Sequence, residues 1–195
     1  MEPSLVSCVL GRHKPSTWNY MSPTKEVELV PLSKCCSEFD SVIQSIDTTF
    51  RNKISSMVRV QNPFLWGSYL LKREECLNRG ADVTEKKLFH ATGELNVLSI
   101  CQNNLDWRRS TRTKFGQGVS FSPSEDYANM YCNQLAGSMR ALIIATVLVG
   151  RETQGNCGTI IPPRPYDTTI GRYGQVVVKY NDNEFYPLYV AYYSR

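Results

Sequence analysis

Apolar residues along this chain fall into segments of different period. Phe39, Val42, Ile43, Ile46 and Phe50 recur at spacings of three and four, which predicts one apolar face of a helix. Residues 54–61 (ISSMVRVQ) are rich in β-branched side chains and read as a strand. Asn62-Pro63 then starts a helix. Asparagine accepts the first free backbone N–H groups, and proline suits the first helical position, where an N–H would have no partner. Leu65, Trp66, Tyr69 and Leu70 continue it, and Gly80 ends it.

The second half changes character. Leu88-Phe89-His90 reads as a short strand, and residues 94–103 as a helix carried by Leu95, Leu98 and Cys101. Residues 106–116 form a polar, basic loop, and Val119-Ser120-Phe121 a short strand. Ser124-Glu125-Asp126 opens a further helix, with acids where the helix dipole favours them. Arg140 to Val149 is a continuous apolar run, typical of a central strand covered on both faces. Glycines and prolines make residues 151–173 a loop, and residues 175–180 and 185–193 are two last strands. Residues 1–30 carry Pro3, Pro15 and Pro23 and read as an irregular, extended arm that packs through Trp18 and Tyr20. The sum is an α+β chain with antiparallel strands.

Composition narrows the classes. A chain of 195 residues suits one domain with a short extension. Hydrophobic residues at 42% and charged residues at 21% describe an ordinary globular balance, and a net charge of +4 neither demands nor excludes nucleic acid. Seven cysteines without a C-x-x-C, beside only two histidines, give little support to a metal site and read as reduced thiols. The N-terminus lacks a signal-peptide pattern, and the longest apolar run is too short to span a membrane. The expectation is an intracellular protein, nuclear or cytoplasmic, with no metal and no membrane partner.

The order of local motifs carries the functional reading. Leu88-Phe89-His90-Ala91-Thr92 is followed by a helix, by Asn104-Leu105-Asp106-Trp107-Arg108, and by Phe115-Gly116-Gln117-Gly118-Val119-Ser120-Phe121-Ser122. Tyr131-Cys132, the strand ending Val147-Leu148-Val149-Gly150, Pro162-Pro163 with Tyr166-Asp167, and Tyr186-Pro187-Leu188-Tyr189-Val190 come after. This train resembles the catalytic domain of the poly(ADP-ribose) polymerase superfamily, and most of all the mono-ADP-ribosyltransferases that carry CCCH zinc-finger or WWE domains. Trp18 and the stretch from Arg59 to Trp66 extend the likeness over nearly the whole chain. The resemblance implies the ADP-ribosyltransferase fold, a split antiparallel β-sheet with flanking helices, over residues 31–195.

It also implies NAD as co-substrate, transfer of ADP-ribose to a protein or nucleic-acid acceptor, and a set of site positions. His90 matches the histidine that bonds the adenosine ribose, and Thr92 a hydroxyl residue on the same ribose. Ala91 stands for the usual glycine, whose backbone N–H and C=O hold the nicotinamide amide. Tyr131 matches a tyrosine that stacks on the nicotinamide. Three further positions depart from the pattern. Ser120 replaces the other stacking tyrosine, and Ala128 the serine that bonds the carboxamide. Val176 replaces the glutamate by which polymer formers hold the nicotinamide ribose. Arg108 can meet the NAD phosphates or the adenosine; a solvated basic loop, or contact with RNA phosphates, remains open for the segment around it. The resulting expectation is a mono-ADP-ribosyltransferase that forms no polymer. Its alternative is an inactive domain of the same fold that acts as a protein or RNA interaction module.

Overall fold

The computed structural model describes residues 4–110, 113–130, 132 and 139–194. The chain opens with a short helix, α1 (Leu5–Cys8), which runs into a π-helical turn at Val9–His13, where an irregular arm is expected from the prolines. Trp18 is buried against Trp66 and Tyr186, with ring centroids 6.4 and 6.3 Å away. Tyr20, expected to pack beside it, is 85% exposed. The arm ends by joining the main sheet as β1 (Glu28–Pro31).

Two helices follow where one apolar face predicts a single helix: α2 (Ser37–Gln44) and α3 (Thr48–Arg51). The break has a local cause. Asp47 Oδ1 accepts the Thr49 N–H at 2.8 Å and caps α3, while the Arg51 guanidinium donates to the Gln44 and Ile46 carbonyls at 2.9 and 2.8 Å, closing the end of α2. The apolar face survives the break: Phe39, Val42, Ile46 and Phe50 all enter one core cluster.

β2 (Ile54–Gln61) and α4 (Pro63–Asn78) lie where the sequence predicts them. Asn62 Oδ1 accepts the N–H groups of Phe64 and Leu65, both at 3.1 Å, and Gly80 leaves the helix with φ 67°. β3 (Thr84–Gly93) is longer than expected, because its first half is polar and exposed. Next come α5 (Val97–Asn103), β4 (Val119–Phe121), α6 (Glu125–Met130) and β5 (Arg140–Val149). The segment expected as loop contains two short strands, β6 (Glu152–Gln154) and β7 (Thr168–Gly171). Their residues are mostly threonine and polar, so no alternation announces them. β8 (Val176–Lys179) and β9 (Phe185–Tyr193) complete the fold.

The strands form two sheets. One has the order β1-β2-β9-β5-β3 and is antiparallel throughout; the other has the order β4-β8-β7-β6, with β6 and β7 parallel. The class is α+β, as expected. β5 explains the unbroken apolar run. Ile143, Ala145 and Val147 face a core shared with α5 and β4, while Leu142 and Ile144 face α2 and α3. With both faces covered, every position along the strand is buried. No helix among the described residues is long and apolar enough to cross a membrane.

Candidate active site

Among the described residues the two sheets meet at one isolated bridge, between Phe89 of β3 and Ser122, which follows β4. Phe89 N–H donates to the Ser122 carbonyl at 2.8 Å, and Ser122 N–H returns the bond to Phe89 at 2.9 Å. The next register step, Ala91 opposite Ser120, is not paired. A residue that exchanges both bonds with one neighbour turns its N–H and C=O away from the other, and the direction alternates along the strand. Phe89 points its backbone groups away from β5, so Ala91 does the same two residues on. The N–H and C=O of Ala91 therefore face the gap between the sheets. Its φ is not positive, so alanine fits here without the strain a left-handed position would impose.

A cavity of about 1260 Å³ occupies this gap. It exceeds the roughly 300–1,000 Å³ of a typical small-molecule site. His90, Ala91, Thr92, Arg108, Ser120 and Val176 line it, and so does Ala128. Tyr131 lies outside the described residues.

His90 bridges the two walls. Its Nδ1 sits 2.9 Å from the Ser120 carbonyl oxygen. A carbonyl only accepts, so Nδ1 carries the proton and Nε2 of the neutral ring keeps a lone pair. Burial pushes the imidazole pKa below its ordinary value, with the bond to Ser120 opposing. The ring also meets Phe121 edge-on, with centroids 6.2 Å apart. The site thus presents a neutral acceptor beside the open backbone edge of Ala91.

Around it the walls differ. Ser120 and Val176 lie on one face of the small sheet: Ser120 pairs with Val178, and Val176 stands two residues before it. Val176 is 8% exposed and offers only methyl groups. Glu184 is no substitute acid, since its carboxylate is paired 3.2 Å from the buried Lys179 ammonium. Ala128 packs from α6 against the core that holds Ala91. Thr92 is buried, and its Oγ1 accepts from Asn96 Nδ2 at 3.0 Å. Arg108, expected to meet the NAD phosphates or the adenosine, has its guanidinium engaged within the protein: Nε donates to Asp106 Oδ1 at 2.6 Å, and Nη2 is 3.7 Å from Asp182. The hydrogen bond to Asp106 raises the Arg108 pKa and lowers that of Asp106.

The cleft is also lined by residues that sequence reasoning passed over, among them Asn96, Tyr127 and Asp182. Asn96 had a signal, since an asparagine at a helix start reads as a cap. Its side chain makes no cap and turns to Thr92 instead. Tyr127 and Asp182 had none, because a helical tyrosine and a turn aspartate are ordinary surface residues. Among the described residues no group of three or more His, Cys, Asp or Glu side chains could hold a metal ion.

The same chain matches known proteins. A family model described as the poly(ADP-ribose) polymerase catalytic domain covers residues 33–185. The protein mono-ADP-ribosyltransferase PARP12 of Homo sapiens is 29% identical over 198 residues, which span 92% of this chain and 28% of that protein. The protein mono-ADP-ribosyltransferase PARP11 of Mus musculus is 26% identical over 209 residues, 90% of this chain and 63% of its own length. Zinc finger CCCH-type antiviral protein 1 of Mus musculus is 26% identical over 99 residues, 49% of this chain and 10% of that protein. The chain spans less than two thirds of the length of each of these relatives. With the family match extending over most of its length, this chain belongs to the poly(ADP-ribose) polymerase catalytic-domain family.

Proposed function

We propose that the cleft binds NAD and that the domain transfers single ADP-ribose units from it, slowly, to a protein acceptor. In that reaction the bond between nicotinamide and ribose breaks, nicotinamide leaves, and the ribose carbon is captured by an acceptor nucleophile that loses its proton. The transition state resembles an oxocarbenium ion, so the protein's task is to grip the leaving ring, orient the ribose and steady the developing charge.

The observation that carries this reading is the open edge of β3 in the gap between the sheets. Ala91 supplies an N–H donor and a C=O acceptor side by side, which is the complement of a carboxamide. His90 Nε2 beside it accepts from a ribose hydroxyl, and Thr92 adds a second polar contact. No described loop fills the cleft, which favours a ligand-binding role over a purely structural one.

The nicotinamide end is the weak point. Ser120 provides no ring to stack, and Ala128 no hydroxyl for the carboxamide. Each loss is worth roughly 0.5–1.5 kcal/mol. Together they amount to roughly 1–3 kcal/mol, about 5- to 150-fold in affinity. Val176 cannot bond a ribose hydroxyl or activate a second ADP-ribose, so chain extension has no support.

The test is a calorimetric titration with a non-hydrolysable NAD analogue, followed by intact-mass analysis after incubation with NAD and a protein acceptor. Weak saturable binding and single-unit additions are expected. Ladders of polymer would overturn the mono-transfer reading. Binding with no addition to any acceptor would leave the interaction module as the better account.

A further inference from the structure

The cleft has a second polar end, away from Ser120 and Val176, and α5 forms its wall. At the start of this helix Asn96 bonds Thr92. At its end Asn104, with φ 69°, donates Nδ2 to the Asp182 carbonyl at 2.8 Å and to the Phe185 carbonyl at 3.1 Å. That amide pins the turn between β8 and β9 beside the loop that follows α5. At 1.5 Å per residue the helix spans about 10 Å, close to the long dimension of a nucleoside.

Charged groups converge at the far end of this wall. Asp106 Oδ1 is fully engaged, accepting the Arg108 backbone N–H at 3.0 Å and its Nε–H at 2.6 Å. Asp182 is different. Its nearest cation, Arg108 Nη2, is 3.7 Å away, an ion-pair distance too long for a hydrogen bond. Among the described residues nothing else bonds the Asp182 carboxylate, although it lines the cleft. An ionised carboxylate only accepts. A ligand lying here must therefore turn an N–H or O–H toward it.

We infer that Asp182 reads the exocyclic amine of adenine, so that the cleft selects adenine nucleotides over oxopurine ones. The inference rests on the NAD reading above. If His90 and Thr92 hold the adenosine ribose, the base extends along α5 toward Asn104 and Asp182. Adenine then presents an amine to the carboxylate. Hypoxanthine presents a carbonyl oxygen at the same position, and two sets of lone pairs face each other. The planar guanidinium of Arg108, held at its Nε by Asp106, offers a flat surface for either base and so does not discriminate.

The experiment compares ADP-ribose with its hypoxanthine counterpart, inosine diphosphate ribose. Neither carries nicotinamide, so neither is turned over. Calorimetry on the wild-type chain is expected to show ADP-ribose binding about tenfold tighter, the worth of one charge-assisted bond at a half-exposed site. Asp182→Asn keeps the shape but can donate to the carbonyl of hypoxanthine. It should bring the two affinities within about twofold, by tightening the hypoxanthine compound. Asp182→Ala should close the same gap by weakening ADP-ribose. Thermal midpoints close to wild type establish that both variants fold. A wild-type ratio already within twofold, or a tenfold ratio that survives both substitutions, overturns the role of Asp182 while leaving nucleotide binding intact. If neither compound binds the wild-type chain, the nucleotide reading of the cleft fails, and this inference with it.

Discussion

At one end of the cleft Thr92, Asn96, Arg108 and Asp182 offer hydroxyl, amide and charged groups; at the other, Ser120, Ala128 and Val176 offer one small hydroxyl and several methyl groups. In the proposed NAD reading, the first end takes the part of the dinucleotide that does not react, and the second takes the bond that breaks. Binding energy from remote contacts steadies substrate and transition state alike, and so lowers the dissociation constant without lowering the barrier. A domain furnished in this way should hold the nucleotide better than it turns it over. This is the expected signature of a mono-transferase with little activity, or of a binding domain descended from one.

The largest effect is expected where the two ends meet. His90→Ala removes the Nε2 acceptor and leaves the Ser120 carbonyl without its donor. We expect ADP-ribose affinity to fall roughly 30-fold, about 2 kcal/mol, with a lower thermal midpoint, both read by calorimetry. Unchanged affinity would show that the Asp182 end binds alone and that His90 is only a strut.

Next in size is restoration of the depleted end. Ser120→Tyr with Ala128→Ser should tighten a nicotinamide-bearing NAD analogue by about tenfold and leave ADP-ribose unaffected. Gain on both ligands would mean that the substitutions reshape the whole cleft and that the two ends are not independent.

A smaller effect is expected from pH. The folded His90 has a pKa below the unfolded value of about 6.5, because burial disfavours the imidazolium. The unfolded chain therefore binds more protons between the two values, and stability rises with pH across that window. His90 contributes fully above about pH 6.5, and its contribution is lost as pH falls through the lowered folded value. ADP-ribose affinity should fall at the lower edge of that window, as pH drops through the folded value and Nε2 gains a proton and stops accepting. Thermal and titration series from about pH 8 to 5 check both, and His90→Gln should flatten the component that belongs to this residue.

The smallest effect is expected at Arg108. Its side chain is 64% exposed and shared between two carboxylates. Arg108→Ala should change ADP-ribose affinity by less than about threefold at physiological salt. A loss of tenfold or more would instead place the pyrophosphate on this guanidinium and make Arg108, not Asp182, the anchor of that end.

Much of this architecture is legible from local pattern. Asn62-Pro63 acts through backbone groups two and three residues away, so the start of α4 can be read directly. The run from Arg140 to Val149 announces a strand buried on both faces, because almost every position in it is apolar, and Thr146, the polar residue inside it, is satisfied by the Tyr69 hydroxyl. Other features leave no local trace. β6 and β7 are short and polar, and they exist because β7 pairs with β8 and β6 in turn pairs with β7. The break between α2 and α3 preserves the apolar face, so periodicity alone runs straight through it.

The sequence by itself determined the family, through the order of its motifs, and the chemistry available at each named position: no ring at 120, no hydroxyl at 128 and no acid at 176. Only the tertiary structure decided what those groups face. The proton on His90 Nδ1 is set by a carbonyl thirty residues away, the open edge of Ala91 by where β3 and β4 stop pairing, and the approach of Asp182 to Arg108 by an asparagine amide 78 residues from its acceptor. Caps and periodicity act over a few residues, so they are written locally. A cleft is made of the strand edges that pairing leaves open, and those are settled only when distant segments have found one another.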